Sequence, residues 1–139
     1  MKVIGIQINS NEAVFVVLQL KSDGEIVQTN ESAKYVIKDH TNSTQVRQFK
    51  DQITAAFDTI KPDKVGVIAR IASGRALRAS SPISFKLEGI IQLYEKIKVE
   101  FIWPQTISPF IRKNAPDFAP KNKYQEDALN LAFFLIKKS

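Results

Sequence analysis

The chain has 139 residues, no cysteine, one histidine and a formal net charge of +6. A chain of this length is the size of one domain and buries roughly 68–70% of the surface that its unfolded form exposes, so its core needs no staples. The lack of cysteine excludes disulfides, thiolate catalysis and cysteine-bound zinc, and His40 alone builds neither a multi-histidine metal site nor a serine triad with Ser10 or Ser73.

Residues 3–8 are rich in Val and Ile and predict a strand. Asn9-Ser10-Asn11 has turn chemistry, and residues 13–20 form a second run of Val, Phe and Leu too continuous for a surface strand. Lys21-Ser22-Asp23-Gly24 reads as a hairpin turn. A third extended segment falls within residues 25–37, clearest at Lys34-Tyr35-Val36-Ile37, and completes an antiparallel meander. A helix follows. Ser43 or Thr44 can cap it, Val46, Phe49, Ile53, Phe57 and Ile60 form one apolar stripe, and Pro62 stops it.

Residues 64–72 carry Val65, Val67, Ile68 and Ile71 and predict a buried strand, followed by a basic loop over residues 73–80. Ser81-Pro82 reads as the cap and first position of a second helix, striped by Ile83, Leu87, Ile90, Ile91, Tyr94 and Ile97. Residues 99–103 predict a short strand ended by Pro104, with Trp103-Pro104 a core and turn feature rather than a base-stacking platform. A short helix over 106–113, a loop over 116–120 and a last helix over 124–138 complete the chain, the last burying Ala128, Leu131, Ala132, Leu135 and Ile136. Lys137-Lys138 suits the dipole at that helix's end.

This order predicts one α/β domain spanning residues 1–139. Its mixed five-stranded sheet has an antiparallel meander, two further parallel strands and helices on both faces. No run approaches the roughly 20 apolar residues of a membrane span. Gln7, Asn9, Ser10 and Asn11 interrupt the opening run before it resembles a signal peptide, so a cytoplasmic protein is expected.

Three stretches carry a resemblance: Ile4-Gly5-Ile6-Gln7-Ile8 with the turn after it, residues 65–69, and Tyr124-Gln125-Glu126-Asp127-Ala128-Leu129. In sequence and spacing they resemble the ribonuclease H-like superfamily, in its RuvC-like branch. Residues 2–13, residues 65–74, Ser84-Phe85-Lys86 with the helix after it, and Tyr124-Gln125-Glu126 are similar to a bacterial family of RuvC-like domains (domain of unknown function 3010). The resemblance covers nearly the whole chain.

It implies a three-layer ribonuclease H-like fold. It also implies a catalytic centre where acids on the first strand, the fourth strand and the last helix hold two divalent ions, Mg²⁺ or Mn²⁺. This chain departs from that pattern. Gln7 and Ala69 stand where the family tends to carry Glu, and Glu126 survives with Asp127 beside it. No Asp or Glu occurs between Asp63 and Glu88, and Arg70 adds a permanent positive charge nearby. Glu126 and Asp127 are neighbours on a helix, about 100° apart, and form no two-sided clamp. Gln7, Ala69, Glu126 and Asp127 thus read as vestigial positions, and no metal or other cofactor is expected. Gln7 is expected to hydrogen-bond within the sheet, and Arg70 to pair with Glu126.

Two basic groups are the binding candidates: Arg70, Arg75, Arg78 and Lys86, and then Arg112, Lys113, Lys121 and Lys123. Ser80 and Ser81, at the start of the second helix, would add backbone N–H groups that favour anions. The first reading is a non-catalytic domain binding nucleic acid or another polyanion through a basic groove. A protein-interaction or regulatory module is the second, and a nuclease or resolvase using Glu126, Asp127 and Gln7 the third. The RuvC-like resemblance also leaves a homodimer open.

Overall fold

The computed structural model describes residues 1–69 and 82–138. Among these residues are six strands and four α-helices. The strands are β1 (Lys2–Asn9), β2 (Glu12–Leu20), β3 (Ile26–Gln28), β4 (Ala33–Val36), β5 (Lys64–Ile68) and β6 (Val99–Ile102). The helices are α1 (Ser43–Ile60), α2 (Pro82–Gln92), α3 (Pro104–Lys113) and α4 (Glu126–Lys137), the last entered through a 3₁₀ turn at Lys123–Gln125. No helix among the described residues is long and apolar enough to cross a membrane.

The sheet runs β3-β2-β1-β5-β6, with β4 also paired to β2. β2 is antiparallel to β1, β3 and β4, while β1, β5 and β6 are parallel. This is the expected mixed sheet with one correction: the single third strand is two short ones. β3 pairs with Leu18 to Leu20, and β4 with Glu12 to Phe15. Between them the Val17 carbonyl accepts from the Thr29 N–H at 3.0 Å, and the Val17 N–H donates to Ser32 Oγ at 3.0 Å. A serine hydroxyl replaces a backbone acceptor, so the ladder breaks while β2 stays satisfied.

The alternation of β1 makes two cores. Ile4, Ile6 and Ile8 join Phe15, Val65 and Val67 against α1 and α2. Val3 joins Val14, Val16 and Leu18 against α4, with Ile107 of α3 behind them. The helix boundaries correct several expectations. Asn42 caps α1, its side chain accepting from the Gln45 N–H at 3.1 Å, in place of Ser43 or Thr44. Lys61 ends α1 in the left-handed region at φ 54°, directly before Pro62. α2 stops at Gln92, and Tyr94 and Ile97 reach the same core from the turn beyond it.

The strand expected over 64–72 is described as far as Ile68, after which the Ala69 N–H donates to the Ile102 carbonyl at 2.9 Å. The remainder of that expectation, the loop at 73–80 and the proposed cap Ser81 lie outside the described residues. Trp103 is not a core residue. β6 ends one residue before it, and 53% of its surface is exposed.

Candidate functional site

Gly5 and Gln7 share one face of β1, and α4 lies across it. A Cβ at Gly5 would overlap the Ala128 carbonyl oxygen and stand 2.8 Å from the Ala132 nitrogen. Only glycine lets the helix backbone come this close. The close approach brings the first turn of α4 to Gln7, whose Nε2 donates to Asp127 Oδ2 at 2.8 Å. The expected hydrogen bond of Gln7 within the sheet is therefore corrected: its side chain ties the sheet to the last helix.

A second anchor fixes the start of α4. Gln125 is 3% exposed and completes a capping box with Asn122, its Oε1 accepting from the Asn122 N–H at 3.1 Å. The same oxygen accepts from Gln28 Nε2 at 3.0 Å, and Gln28 Oε1 accepts from the Lys121 N–H at 2.9 Å. The buried amide of Gln125 and the half-buried one of Gln28 lock the helix entry to β3. Sequence reasoning missed both. The Asn122-x-x-Gln125 spacing was the available signal for one; Gln28 had none.

Beyond Gln7 a cleft of about 440 Å³ opens at the carboxyl ends of β1, β5 and β6. Open α/β sheets bind ligands at such an edge. Gln7 and Ile68 form its floor, Pro104, Ile107, Ser108 and Ile111 of α3 one wall, and Asp127 and Asn130 of α4 the other. Asn130 follows Asp127 by three residues and so shares its helix face.

The four vestigial positions are not brought together. Gln7 and Asp127 meet. Glu126, about 100° round the helix, lines a different hollow with Asp117 and Phe118. Ala69 is buried and does not line the cleft; Ile68 does. The parallel register, which sets Ile6 beside Val67, places Ile68 next to Gln7.

Arg70, Arg75, Arg78, Ser80 and the expected Arg70–Glu126 pair fall outside the described residues. Lys86 sits on α2, in the opposite layer from α4, where its ammonium donates to the His40 carbonyl at 2.8 Å and lies 3.1 Å from His40 Nδ1. Lys121 Nζ donates to Asn30 Oδ1. Arg112, Lys113 and Lys123 are exposed.

The fold family implies divalent ions at this edge, and the side chains can be tested for fit. Two ions about 3.5–4 Å apart need several carboxylates. Among the described residues the cleft offers one carboxylate, the amides of Gln7 and Asn130, the Ser108 hydroxyl and the alkyl chain of Ile68. The Gln7 bond already occupies one oxygen of Asp127. No group of three His, Asp or Glu side chains among the described residues could hold a metal. The segment from Arg70 to Ser81 contains no Asp or Glu to add. This donor set does not fit a metal pair.

The fold is shared with solved structures of low sequence identity. RuvC of T. thermophilus in complex with a Holliday junction substrate superposes with a TM-score of 0.70 at 13% identity, over 100% of this chain and 97% of that one. Another structure of Thermus thermophilus RuvC gives 0.66 at 13% identity, over 99% and 96% of the two chains. The fowlpox virus Holliday junction resolvase gives 0.59 at 15% identity, over 99% of each chain. At such identities the likeness shows the fold, a RuvC-like member of the ribonuclease H-like class. No functionally described sequence relative matches the chain. The profile of the family described as a protein of unknown function (DUF3010) matches residues 1–135, and the chain belongs to that family.

Proposed function

We propose that this domain binds nucleic acid through the phosphate backbone and does not cut it. The observation that carries the reading is the pattern of charge pairing. Among the described residues, ion pairs engage Lys2, Lys21, Lys34 and Lys96. Lys86, Arg112, Lys113, Lys121 and Lys123 have no carboxylate partner there and belong to a wider excess of unpaired cations that includes Lys38, Arg47, Lys50, Lys61, Lys64, Lys98, Lys137 and Lys138. Lys121 is held by the neutral amide oxygen of Asn30, which leaves its charge uncompensated, whereas Lys86, held by the His40 carbonyl, also lies within Coulombic reach of the Asp39 carboxylate. Lys121 and Lys123 directly precede α4, whose first turn borders the cleft. Arg70, Arg75 and Arg78 add three charges on the segment that follows Ala69. Such cations position a phosphate backbone without reading sequence. The misfit of the cleft to a metal pair supports binding without cutting.

The test is a binding series with single-stranded, duplex, branched and hybrid nucleic acids at low and moderate salt. Mg²⁺ or Mn²⁺ is present, and the products are resolved on a gel. Binding should fall steeply with salt and weaken when Arg75 and Arg78 are replaced by Ala, with the substrate intact throughout. Cutting that disappears in Asp127→Asn would overturn the non-catalytic half. Absence of binding at low salt would overturn the other. The interaction-module reading gains no support from apolar exposure: Val36, Leu93, Trp103 and Tyr124 are exposed at separate points of the chain, and no helix or strand among the described residues exposes two large apolar side chains.

A further inference from the structure

Trp103 breaks two local rules at once. It occupies the N-cap position of α3 yet makes no side-chain capping bond, where Ser, Thr, Asp or Asn would. It is also the chain's sole tryptophan, with more than half of its surface in water. It serves neither the helix start nor the core, and departures from local consistency concentrate at functional positions.

Its stem is firm. The Trp103 carbonyl accepts from the N–H groups of Thr106 at 2.9 Å and Ile107 at 3.3 Å, and Pro104 follows with φ fixed by its ring. Pro104 lines the cleft, so the Trp103 Cα lies one trans peptide, about 3.8 Å, from a residue of the cleft wall.

The chemistry of the cleft selects what can enter. The Asp127 carboxylate repels phosphate, so phosphates belong outside the cleft. The amides of Gln7 and Asn130 and the Ser108 hydroxyl donate and accept, the Asp127 carboxylate accepts, and Ile68 and Ile107 give an apolar surface. A flat, neutral heterocycle with amino and carbonyl groups on its edge matches this lining. Nucleobases have that character, with amide side chains suited to adenine and carboxylates to the cytosine amino group. A volume of about 440 Å³ is in the range of small-ligand sites. Inside a duplex a base is stacked and paired, so only an unpaired base can present both its ring face and its edge.

We infer that Trp103 is a stacking surface for an unpaired nucleobase beside the Gln7–Asp127 cleft. The preferred ligand is then single-stranded or locally unpaired nucleic acid. This rests on the nucleic-acid reading above and adds the base to the backbone.

The experiment uses the full chain and three end-labelled DNA probes: a mixed-sequence single strand, the same strand carrying abasic positions, and the duplex. Label anisotropy reports binding, and the emission of Trp103 reports stacking. The single strand should bind more tightly than the duplex and quench the emission at saturation. Abasic positions or Trp103→Ala should each weaken binding about ten-fold, while Trp103→Phe keeps most of the affinity. Circular dichroism of both variants checks that the fold is retained. If anisotropy shows binding while the emission is unchanged and the abasic strand binds equally well, the stacking inference is overturned and backbone binding stands. If no probe binds at low salt, both are overturned.

Discussion

Gly5 and Gln7 are two residues apart on one strand, face the same helix and do opposite things. At Gly5 the sheet and α4 close until no side chain fits between them. At Gln7 they part, an amide and a carboxylate bridge the gap, and a cleft begins. The same contrast recurs on β5, where Gly66 lies under Leu135 and Ile68 lines the cleft. Close packing at one level of the helix fixes how its next turn meets the sheet. The seam is thus part of the construction of the site.

The largest effect should come from closing the seam against itself. Gly5→Ala sets a methyl against helix backbone, which cannot swing aside, and should cost about 3 kcal/mol or more in urea unfolding. A loss under about 1 kcal/mol would show that α4 can lift from the sheet, weakening the link from seam to cleft. Gly66→Ala sharpens the point. There the Cβ is crowded by the Leu135 Cδ1 tip at 2.6 Å, which a rotamer change can move, and makes ordinary contact with the Leu131 methyls at 3.5 Å, so about 1 kcal/mol is expected.

Gln7→Glu tests the cleft itself. It replaces the hydrogen bond to Asp127 by two facing carboxylates, a loss of about 1 kcal/mol at neutral pH. Mutual repulsion raises the folded-state carboxyl pKa above its unfolded value. The variant should therefore match the parent most closely at acid pH and fall behind as pH rises. Mn²⁺ should raise its thermal midpoint and leave the parent's unchanged. A variant indifferent to both pH and Mn²⁺ would mean that the two side chains do not face each other.

The smallest effect lies on the far layer. Tyr94 OH donates to Asp58 Oδ1 at 2.7 Å, and Lys96 Nζ donates to the same oxygen at 2.9 Å. Lys96 first and Tyr94 second hold the Asp58 carboxyl below its ordinary value of 3.8. Desolvation, then Asp58, pushes Tyr94 up from 10.0 to about 12. The Asp58 contribution is present above pH 3.8 and lost below it; that of Tyr94 is present below pH 10 and lost toward 12. Tyr94→Phe should cost about 0.5–1 kcal/mol between those limits, converge on the parent outside them, and leave nucleic-acid binding unchanged. An effect on binding would argue against confining function to the carboxyl edge.

The sequence made the element order and the two-sided sheet legible, because alternation along β1 and the stripe of α1 are local patterns. The break between β3 and β4 was not, because it depends on Ser32 reaching across to Val17. The candidate site was half legible. Gln7 was identified from the first-strand pattern, but Asp127 and Glu126 are indistinguishable until the rotation of the helix is known. The close approach at Gly5 and the buried Gln125 set that rotation. Ile68 rather than Ala69 reaches the cleft because of the pairing between β1 and β5, a tertiary fact. Trp103 was read as core because it was placed as the last residue of an apolar strand, and that strand ends one residue earlier, at Ile102.

The central claim is that the Gln7–Asp127 cleft is a polar binding site and does not hold a metal pair. Calorimetric titration of Mn²⁺ into the purified protein tests it most directly. No saturable binding is predicted for the parent or for Asp127→Ala. Saturable binding of two ions, abolished by Asp127→Ala, would contradict it.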